Sequence, residues 1–347
     1  MAKKKRLNQG QQRRMRANAQ KRLKQTDAFE WSDDQLGAAE DGVVVSRFGQ
    51  HADIQAADGA GEIVRCNIRR SISSLVTGDE VRWRRGHESH SGIKGVIEAV
   101  QERRSQLERP DYYDGLKAIA ANIDQVIVVS ALKPEFSSDI IDRYLVAIEA
   151  TGLTPILLLN KIDLFDAAQR THIEPILDEY RALGYAILTA SSHSEDGLEE
   201  LKAQLHHKTS VFVGQSGVGK SSLVNALLPD IQAETKIVSE NSGLGQHTTT
   251  TARLYPLPDG GRLIDSPGIR EFQLWHLEAE QVTDGFRELR NLQGLCKFRD
   301  CKHQSDPGCA FIAALKQGSI SKRRYQSYLR ILQSMEQNRP TRHIPPH

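Results

Sequence analysis

The stretch Gly214, Gln215, Ser216, Gly217, Val218, Gly219, Lys220, Ser221 and Ser222 directly follows the apolar triplet Val211-Phe212-Val213. Glycines at these spacings let backbone N–H groups wrap phosphate oxygens, and a helix starting beyond Gly219 would aim its positive dipole end at them. In that pattern Lys220 reaches the β- and γ-phosphates and the Ser221 hydroxyl ligates magnesium. The chemistry is nucleoside triphosphate binding.

Further along, Asp265-Ser266-Pro267-Gly268 ends the apolar pair Leu263-Ile264. An Asp at the end of a buried strand suits a water-bridged magnesium contact, and Gly268 can offer a backbone N–H to a γ-phosphate. Between the two motifs stand Gly245-Gln246-His247 and four threonines, Thr248 to Thr251. A threonine from such a segment can join magnesium when the γ-phosphate is present. Thr250 is the expected ligand, with Thr249 the alternate.

A second constellation selects the base. Asn160, Lys161, Ile162 and Asp163 close the apolar run Leu157-Leu158-Leu159. The Asp163 carboxylate can accept from guanine N1–H and the exocyclic 2-amino group, a pair of donors that adenine lacks, and unpaired buried polar groups enforce the rejection. Asn160 can touch the base edge and the Lys161 stem can lie over the ring. Thr189, Ala190 and Ser191 follow the next apolar run, and the Ala190 N–H is placed to meet guanine O6. The bound nucleotide is therefore GTP or GDP. The order is rearranged, because the base motif precedes the phosphate loop. Circular permutation of this kind is tolerated when the original termini of a domain lie close together.

Hydrolysis has a gap. Many GTPases orient the attacking water with a Gln just after the glycine of the Asp-x-x-Gly motif. Ile269 occupies that position here and can neither transfer a proton nor hydrogen-bond. His247 is the candidate replacement, ordered by a partner.

Cys296, Cys301, His303 and Cys309 form the spacing C-x4-C-x-H-x5-C and include three of the four cysteines in the chain. Three thiolates and an imidazole match a closed tetrahedral zinc site, structural because no coordination position stays open. A segment too short for its own core gains stability from such an ion.

These residues must be held by several modules, and the length of 347 residues allows two or three. No apolar run approaches the roughly 18 residues that a membrane span needs, and the charged N-terminus has no apolar stretch behind it, so no membrane association and a cytoplasmic location are expected. The net charge of +2 conceals an asymmetry: residues 1–25 hold ten Lys or Arg and no acid, leaving 36 basic against 44 acidic residues in the remainder. A like-charged block of this kind has phosphate as its natural partner. The C-terminal end is basic again, with Lys322, Arg323, Arg324, Arg330, Arg339 and Arg342.

From about 42 to 108, short alternating apolar segments separated by Asp58-Gly59, Gly61 and Gly78-Asp79 predict about five strands, the number of a small oligonucleotide-binding barrel. Arg65, Arg69, Arg70, Arg82, Arg84 and Arg85 could face phosphate there. From about 120, buried-strand runs at Gln125–Ser130, Pro155–Leu159, Ala186–Leu188, Ser210–Val213 and Arg262–Ile264 alternate with helical stretches. Those stretches lie after the Ser137-Ser138 cap, from Asp166 to Leu183, from Gly197 to Leu205, and beyond Gly219. Such alternation predicts a mostly parallel sheet covered on both faces. After about 275 the pattern is helical around the cysteine cluster.

Taken together, a basic arm, a small barrel, NKID ahead of GQSGVGKSS, then HTTT, DSPG and C-x4-C-x-H-x5-C resemble the small-ribosomal-subunit-dependent GTPase family RsgA, also called YjeQ. The resemblance covers essentially the whole chain. It implies a multidomain fold: a basic arm over 1–35, an OB-fold β-barrel over 36–112, a circularly permuted α/β P-loop GTPase domain over 113–275, and a mostly helical zinc-binding domain over 276–347. It further implies binding to the small ribosomal subunit and its 16S-type rRNA, a role in late maturation of that subunit, and hydrolysis stimulated by it. The expected cofactors are one structural zinc ion and magnesium with GTP, and the expected state is a monomer.

Overall fold

The computed structural model describes residues 31–57, 61–90, 92–111, 115–192, 194, 197–228, 252–258, 260–265 and 277–338. The basic arm before residue 31, the Asp58-Gly59 turn, His247, Thr248 to Thr251, Gly268 and Ile269 lie outside the described residues.

Five strands form the N-terminal module: β1 Leu36–Phe48, β2 His51–Ala56, β3 Val64–Ile68, β4 Glu80–His90 and β5 Ile93–Val100. β1 pairs antiparallel with β2 and β4, β2 with β3, β3 runs parallel to β5, and β5 pairs with β4. The circuit β1-β2-β3-β5-β4-β1 is therefore closed, and closure removes the exposed edges that an open five-stranded sheet would present. Alternation along β2 buries Ala52 and Ile54 against Val64, Cys66, Val81, Trp83 and Ile97 inside the barrel. Gly42 is the close-approach position, since a Cβ there would press on both Ile54 and Trp83.

A hairpin follows, β6 Gln106–Asp111 and β7 Gly115–Ala121. The sequence pattern does not announce it, and it straddles the boundary expected between residues 112 and 113. Its inner residues Leu107 and Ala120 are fully buried in the core of the central module.

The central sheet contains β8 Gln125–Ser130, β9 Thr154–Asn160, β10 Ala186–Ala190, β11 Thr209–Val213, β12 Arg253–Pro256 and β13 Arg262–Asp265. The order is β10-β9-β8-β11-β13-β12, parallel except for β12. Each expected strand is present and one or two residues longer than its apolar run, except Gln125–Ser130, whose bounds coincide. Around the sheet pack α1 Ser138–Glu149, α2 Ala167–Ala182, α3 Glu199–Leu205 and α4 Lys220–Leu227. Ser137 caps α1 by accepting from the Ile140 N–H, and Asp166 with Gln169 forms a capping box on α2, which is why those helices begin where they do.

β12 carries no strand signal of its own in the sequence, and it joins the two modules. Arg253 lies opposite Ser46 of β1, so barrel and central sheet share one continuous eleven-stranded sheet. Next to this seam the buried Thr77 hydroxyl donates to the Ala252 carbonyl at 2.8 Å, and the Ala121 N–H donates to the Thr77 carbonyl. Gly78 adopts φ +89°, and a Cβ there would collide with the Ala121 carbonyl.

The C-terminal module holds α5 Ala279–Gly285, α6 Arg287–Arg290, α7 Ala310–Lys316 and α8 Lys322–Asn338. Its core of Val282, Phe286, Leu289, Phe311, Tyr328 and Ile331 also takes in Val146 and Ala147 from α1. α1 therefore serves two cores, with Ile141, Tyr144, Leu145 and Ile148 turned to the sheet. Among the described residues no helix is long and apolar enough to cross a membrane.

Candidate functional site

The phosphate-loop residues leave the C-terminal end of β11, which is flanked by β8 and β13. Gly214, Gly217 and Gly219 adopt φ of 139°, 84° and 99°, values that side chains resist. A Cβ on Gly214 would strike the Val129 carbonyl and one on Gly219 would strike the Asn160 amide, so two of the three glycines are also required by space. α4 starts at Lys220, directly after the loop, and brings its free N–H groups to the loop's mouth. Lys220 Nζ donates to the Gly214 carbonyl at 2.6 Å and the Gln215 carbonyl at 2.5 Å, which closes the loop on itself. Ser221 and Ser222 are exposed at the start of the helix.

Asp265 ends β13, one residue beyond Ile264, which is paired with Val211. Phe212, Lys220, Ser221, Val224, Leu263, Ile264 and Asp265 line one cleft. The fold thus brings together a lysine, a hydroxyl and a carboxylate that the sequence separates by 45 residues. Those are the groups a magnesium-bound triphosphate needs. Thr250, His247 and Gly268, expected beside them, are outside the described residues.

The base motif sits one strand beyond β8. Asn160 ends β9 opposite Ala190 of β10, which puts Asn160 to Asp163 and Thr189 to Ser191 at the same end of the sheet as the phosphate loop. Asn160 is buried, and its Nδ2 donates to the Val218 carbonyl at 2.9 Å. Its Oδ1 is buried with no partner, an acceptor held ready at the site. Lys161 takes a left-handed φ of 61° and donates from Nζ to the Gly217 carbonyl at 2.6 Å and the Lys133 carbonyl at 3.0 Å. Asp163 Oδ1 accepts from the Ser191 hydroxyl at 2.6 Å, which fixes the carboxylate expected to read guanine. The Ser191 N–H in turn donates to the Gly197 carbonyl. The parts played by Lys133 and Gly197 carry no sequence signal, because each contributes only a main-chain carbonyl.

Cys296, Cys301, His303 and Cys309 converge, with all four ligand atoms within 4.8 Å of one another, and they could hold a metal ion. His303 Nδ1 lies 3.5 Å from each of the three sulfurs, and the Cys296 and Cys309 sulfurs are 3.9 Å apart. A tetrahedral ion about 2.3 Å from sulfur and about 2.0 Å from nitrogen sets edges of about 3.5 Å and 3.8 Å. The donor set fits zinc. The His303 ring stacks on Phe311 with centroids 3.9 Å apart, its carbonyl accepts from the Tyr325 hydroxyl, and the Ala310 N–H donates to the Cys296 sulfur at 3.4 Å. These contacts aim the ligands from outside the cluster. Cys66, the fourth cysteine, is remote in the barrel core, where burial pushes its thiol up to about 12.

In two basic features several cations meet carboxylates. Four of the six barrel arginines carry carboxylate partners: Arg65 with Asp53, Arg69 with Glu98, Arg82 with Asp41 and Arg84 with Asp33. In the basic C-terminal segment, Arg324 is buried and bonded to Asp142 and Glu288, while Arg323 meets Asp142 and Glu179. Burial alone would lower the Arg324 pKa, but Asp142 and Glu288 more than reverse that and hold the guanidinium charged. Burial, reinforced by Asp142, keeps the Tyr180 phenol protonated, and it donates to Asp142 Oδ1 at 2.5 Å. Arg323 and Arg324 therefore rivet the C-terminal module to α1 and α2.

The family model described as RsgA GTPase matches residues 100–275. The small ribosomal subunit biogenesis GTPase RsgA of Pectobacterium carotovorum subsp. carotovorum (strain PC1) is 59% identical over 337 residues, covering 96% of each chain. RsgA 1 of Vibrio parahaemolyticus serotype O3:K6 is 56% identical over 345 residues, covering 99% of this chain and 97% of that one. Among solved structures, YjeQ from Thermotoga maritima is similar at a TM-score of 0.69 and 32% identity, over 87% of this chain and 100% of that chain. YloQ, described as a circularly permuted GTPase, gives 0.68 at 26% identity over 90% and 100%.

Proposed function

The chain belongs to the RsgA GTPase family and is a GTP-hydrolysing enzyme, and from that premise we propose that it serves late maturation of the small ribosomal subunit. In this reading it binds that subunit and its 16S-type rRNA as a monomer in the cytoplasm, and the subunit stimulates hydrolysis of GTP to GDP and phosphate. The names of its relatives, small ribosomal subunit biogenesis GTPase, support the partner.

The observation that carries the reading is the placement of the nucleotide site between two modules. On one side β12 runs from the Thr248–Thr251 segment straight into pairing with the barrel strand β1. On the other, α1 is shared between the sheet beside the site and the metal-binding core. A site flanked in this way is suited to report a large partner that touches both modules.

Phosphoryl transfer needs positioning and charge neutralisation more than covalent chemistry. Lys220 exchanges its two carbonyl partners for the β- and γ-phosphates, and the backbone from Gly214 to Lys220 wraps them. Ser221 and Thr250 would hold magnesium directly and Asp265 through water, and the ion would neutralise charge between the β- and γ-phosphates. Asn160, Lys161 and Asp163, with Ala190 and Ser191, hold guanine. Ile269 cannot position water, so His247 is assigned that task once the subunit orders it. Zinc on Cys296, Cys301, His303 and Cys309 is structural, four protein ligands leaving no open position.

A rival reading is an RNA-binding protein that uses GTP as a timer and scarcely hydrolyses it. Single-turnover phosphate release with and without purified small subunits separates the two. Stimulation of at least ten-fold is expected, and cosedimentation should be tighter with a non-hydrolysable GTP analogue than with GDP. An unchanged rate with subunits present would favour the timer.

A further inference from the structure

β12 is four residues long, and Arg253 is the one that pairs on both sides, with Ser46 of β1 and with Asp265 of β13. Successive side chains of a strand point to opposite faces. Leu254 and Ile264 stand opposite each other in one core, while Tyr255 and Leu263 stand opposite each other in the second, with Leu223 and Val224 of α4. Arg253 and Asp265 lie two residues along from Tyr255 and Leu263, so their side chains share the α4 face. Residues paired in this way have Cα atoms about 4.5–5.5 Å apart. Arg253 thus rises beside the carboxylate that ends β13 in the cleft shared with Lys220 and Ser221.

The Arg253 guanidinium is not committed to an acid. Its Nε is buried without a hydrogen-bond partner, and no carboxylate lies within 4 Å of it among the described residues. Arg323 Nη2, the other buried guanidinium nitrogen without a hydrogen bond, still forms an ion pair with Glu179. A buried donor left unpaired carries a desolvation cost, and a ligand that accepts from it removes that cost. The guanidinium rests against the Tyr255 ring, its Cζ 5.4 Å from the centroid. Burial pushes the Tyr255 phenol above its ordinary value, Arg253 pulls it back and Asp265 pushes it up again, so both charges reach one hydroxyl on this face.

Phosphoryl transfer spreads negative charge over the equatorial oxygens of the transferring group. Of the described residues lining the cleft only Lys220 is cationic, and Asp265 opposes it. A guanidinium is a permanently charged planar fork whose N–H donors match phosphate oxygens in pairs. Arg253 places such a fork at the rim of the cleft, on the strand next to the one that carries Asp265.

We propose that Arg253 is a catalytic residue supplied from within the chain, its guanidinium leaving the Tyr255 ring to stabilise the transferring γ-phosphoryl group beside Asp265. It forms no covalent bond and moves no proton. Water bonds to the γ-phosphorus as the bond to the β–γ bridging oxygen breaks, that oxygen leaves on GDP, and the water proton stays with the released phosphate. Arg253 donates hydrogen bonds to the oxygens that gain charge. This task is separate from the positioning of water assigned to His247. The inference rests on the assignment of Asp265 to magnesium above, and it adds a group that none of the nucleotide motifs contains.

The test titrates the full-length protein with fluorescent GDP and magnesium, with and without aluminium fluoride, which takes the place of the transferring phosphoryl group, and with and without small subunits. Aluminium fluoride should tighten GDP binding to the parent, as a transition-state analogue does. Arg253→Ala and Arg253→Met, the second keeping the packing on Tyr255, should abolish that tightening while affinity for GDP alone stays parental. Arg253→Lys should keep part of it, since the charge remains and the fork is lost. Single-turnover hydrolysis by Arg253→Ala should fall between about a hundred- and a thousand-fold, the scale of one lost transition-state donor. Equal tightening in parent and variants, or none in the parent with or without subunits, overturns the role. Lower GDP affinity or melting temperature with the tightening intact makes Arg253 a structural residue of the seam and overturns it too. Asp265→Asn is the control on the premise: if magnesium dependence of nucleotide binding and hydrolysis survives it, the magnesium assignment falls and takes this inference with it.

Discussion

Asn160 donates its side-chain amide to the main-chain carbonyl of Val218 at 2.9 Å, joining base motif and phosphate loop across 58 residues of sequence. Lys161 repeats the link through the Gly217 carbonyl. The rearranged order of motifs is thus a matter of where the chain was cut. The contacts that hold Asn160 and Lys161 against the glycine-rich loop are made regardless.

Replacing Asn160 with alanine should therefore weaken GTP and GDP together. The variant leaves the Val218 carbonyl without its donor and removes an acceptor at the base edge. At about 1–3 kcal/mol for a buried polar group left unpaired, a loss of roughly 5- to 150-fold is expected in both affinities. Calorimetric titration with each nucleotide checks it, and a loss confined to GTP would contradict the structural link.

Asp163→Asn tests the base assignment separately. The amide can donate where the carboxylate only accepts, so guanine N1–H and 2-amino groups lose their partner. GTP affinity should fall by at least about a hundred-fold, while xanthosine triphosphate, with a carbonyl in place of the amino group, should gain. Competition binding between the two nucleotides reads the change, and unchanged GTP preference would remove Asp163 from base recognition.

Much of this site was legible because it depends on residue types at fixed spacings beside apolar runs. Gly214 to Ser221, Asn160 to Asp163 and the C-x4-C-x-H-x5-C cluster all carry their chemistry in the side chains named. What was not legible depends on long-range pairing. β12 is only four residues long, and its strand character comes from lying between β13 and the barrel strand β1. The β6–β7 hairpin is half polar, and only packing of Leu107 and Ala120 into the central core identifies it. Charge was the least transferable signal. Arg323 and Arg324 read only as part of a basic C-terminal end in sequence, because their partners Asp142 and Glu179 are more than 140 residues away.

That network makes its own prediction. Arg324→Ala leaves Asp142 and Glu288 facing a buried gap, and breaking a buried pair by removing one partner typically costs about 3–5 kcal/mol. Urea unfolding should show a loss in that range, concentrated in the C-terminal module and its seam with α1. The double variant Arg324→Met, Glu288→Leu should recover a large part of it, because Asp142 keeps Arg323 and the Tyr180 hydroxyl and no charge is then stranded. A single alanine variant as stable as the parent would mean the guanidinium is not the rivet its position indicates.

The water-positioning role proposed for His247 has a kinetic signature of its own. His247→Ala should leave GTP affinity near the parental value and lower subunit-stimulated turnover by about a hundred-fold or more, the scale of a lost water-positioning group. Basal turnover without subunits should change little, since the free protein has no assigned water-positioning group at Ile269 either. If stimulated turnover survives the substitution, the water is positioned by another group, one supplied in trans being the natural next candidate.

Removing the metal should separate the two ends of the molecule. The C-terminal core is small, and its ligands hold the ends of a loop that no apolar residue anchors between Cys296 and Cys301, so chelation or Cys301→Ser should lower its melting temperature and helical signal. Protonation of the thiolates should act in the same direction, so metal affinity is expected to fall as the solution is acidified. Nucleotide binding should persist, because Lys220, Asn160 and Asp163 stand on the central sheet and α1 keeps its other face, Ile141, Tyr144, Leu145 and Ile148, packed against that sheet. Subunit-stimulated turnover should be lost with the module, since that is the activity proposed to need both flanks of the site. Parallel measurement of nucleotide affinity, thermal unfolding and stimulated hydrolysis on the zinc-free protein decides the matter, and undiminished stimulation without the metal would detach the C-terminal module from the function.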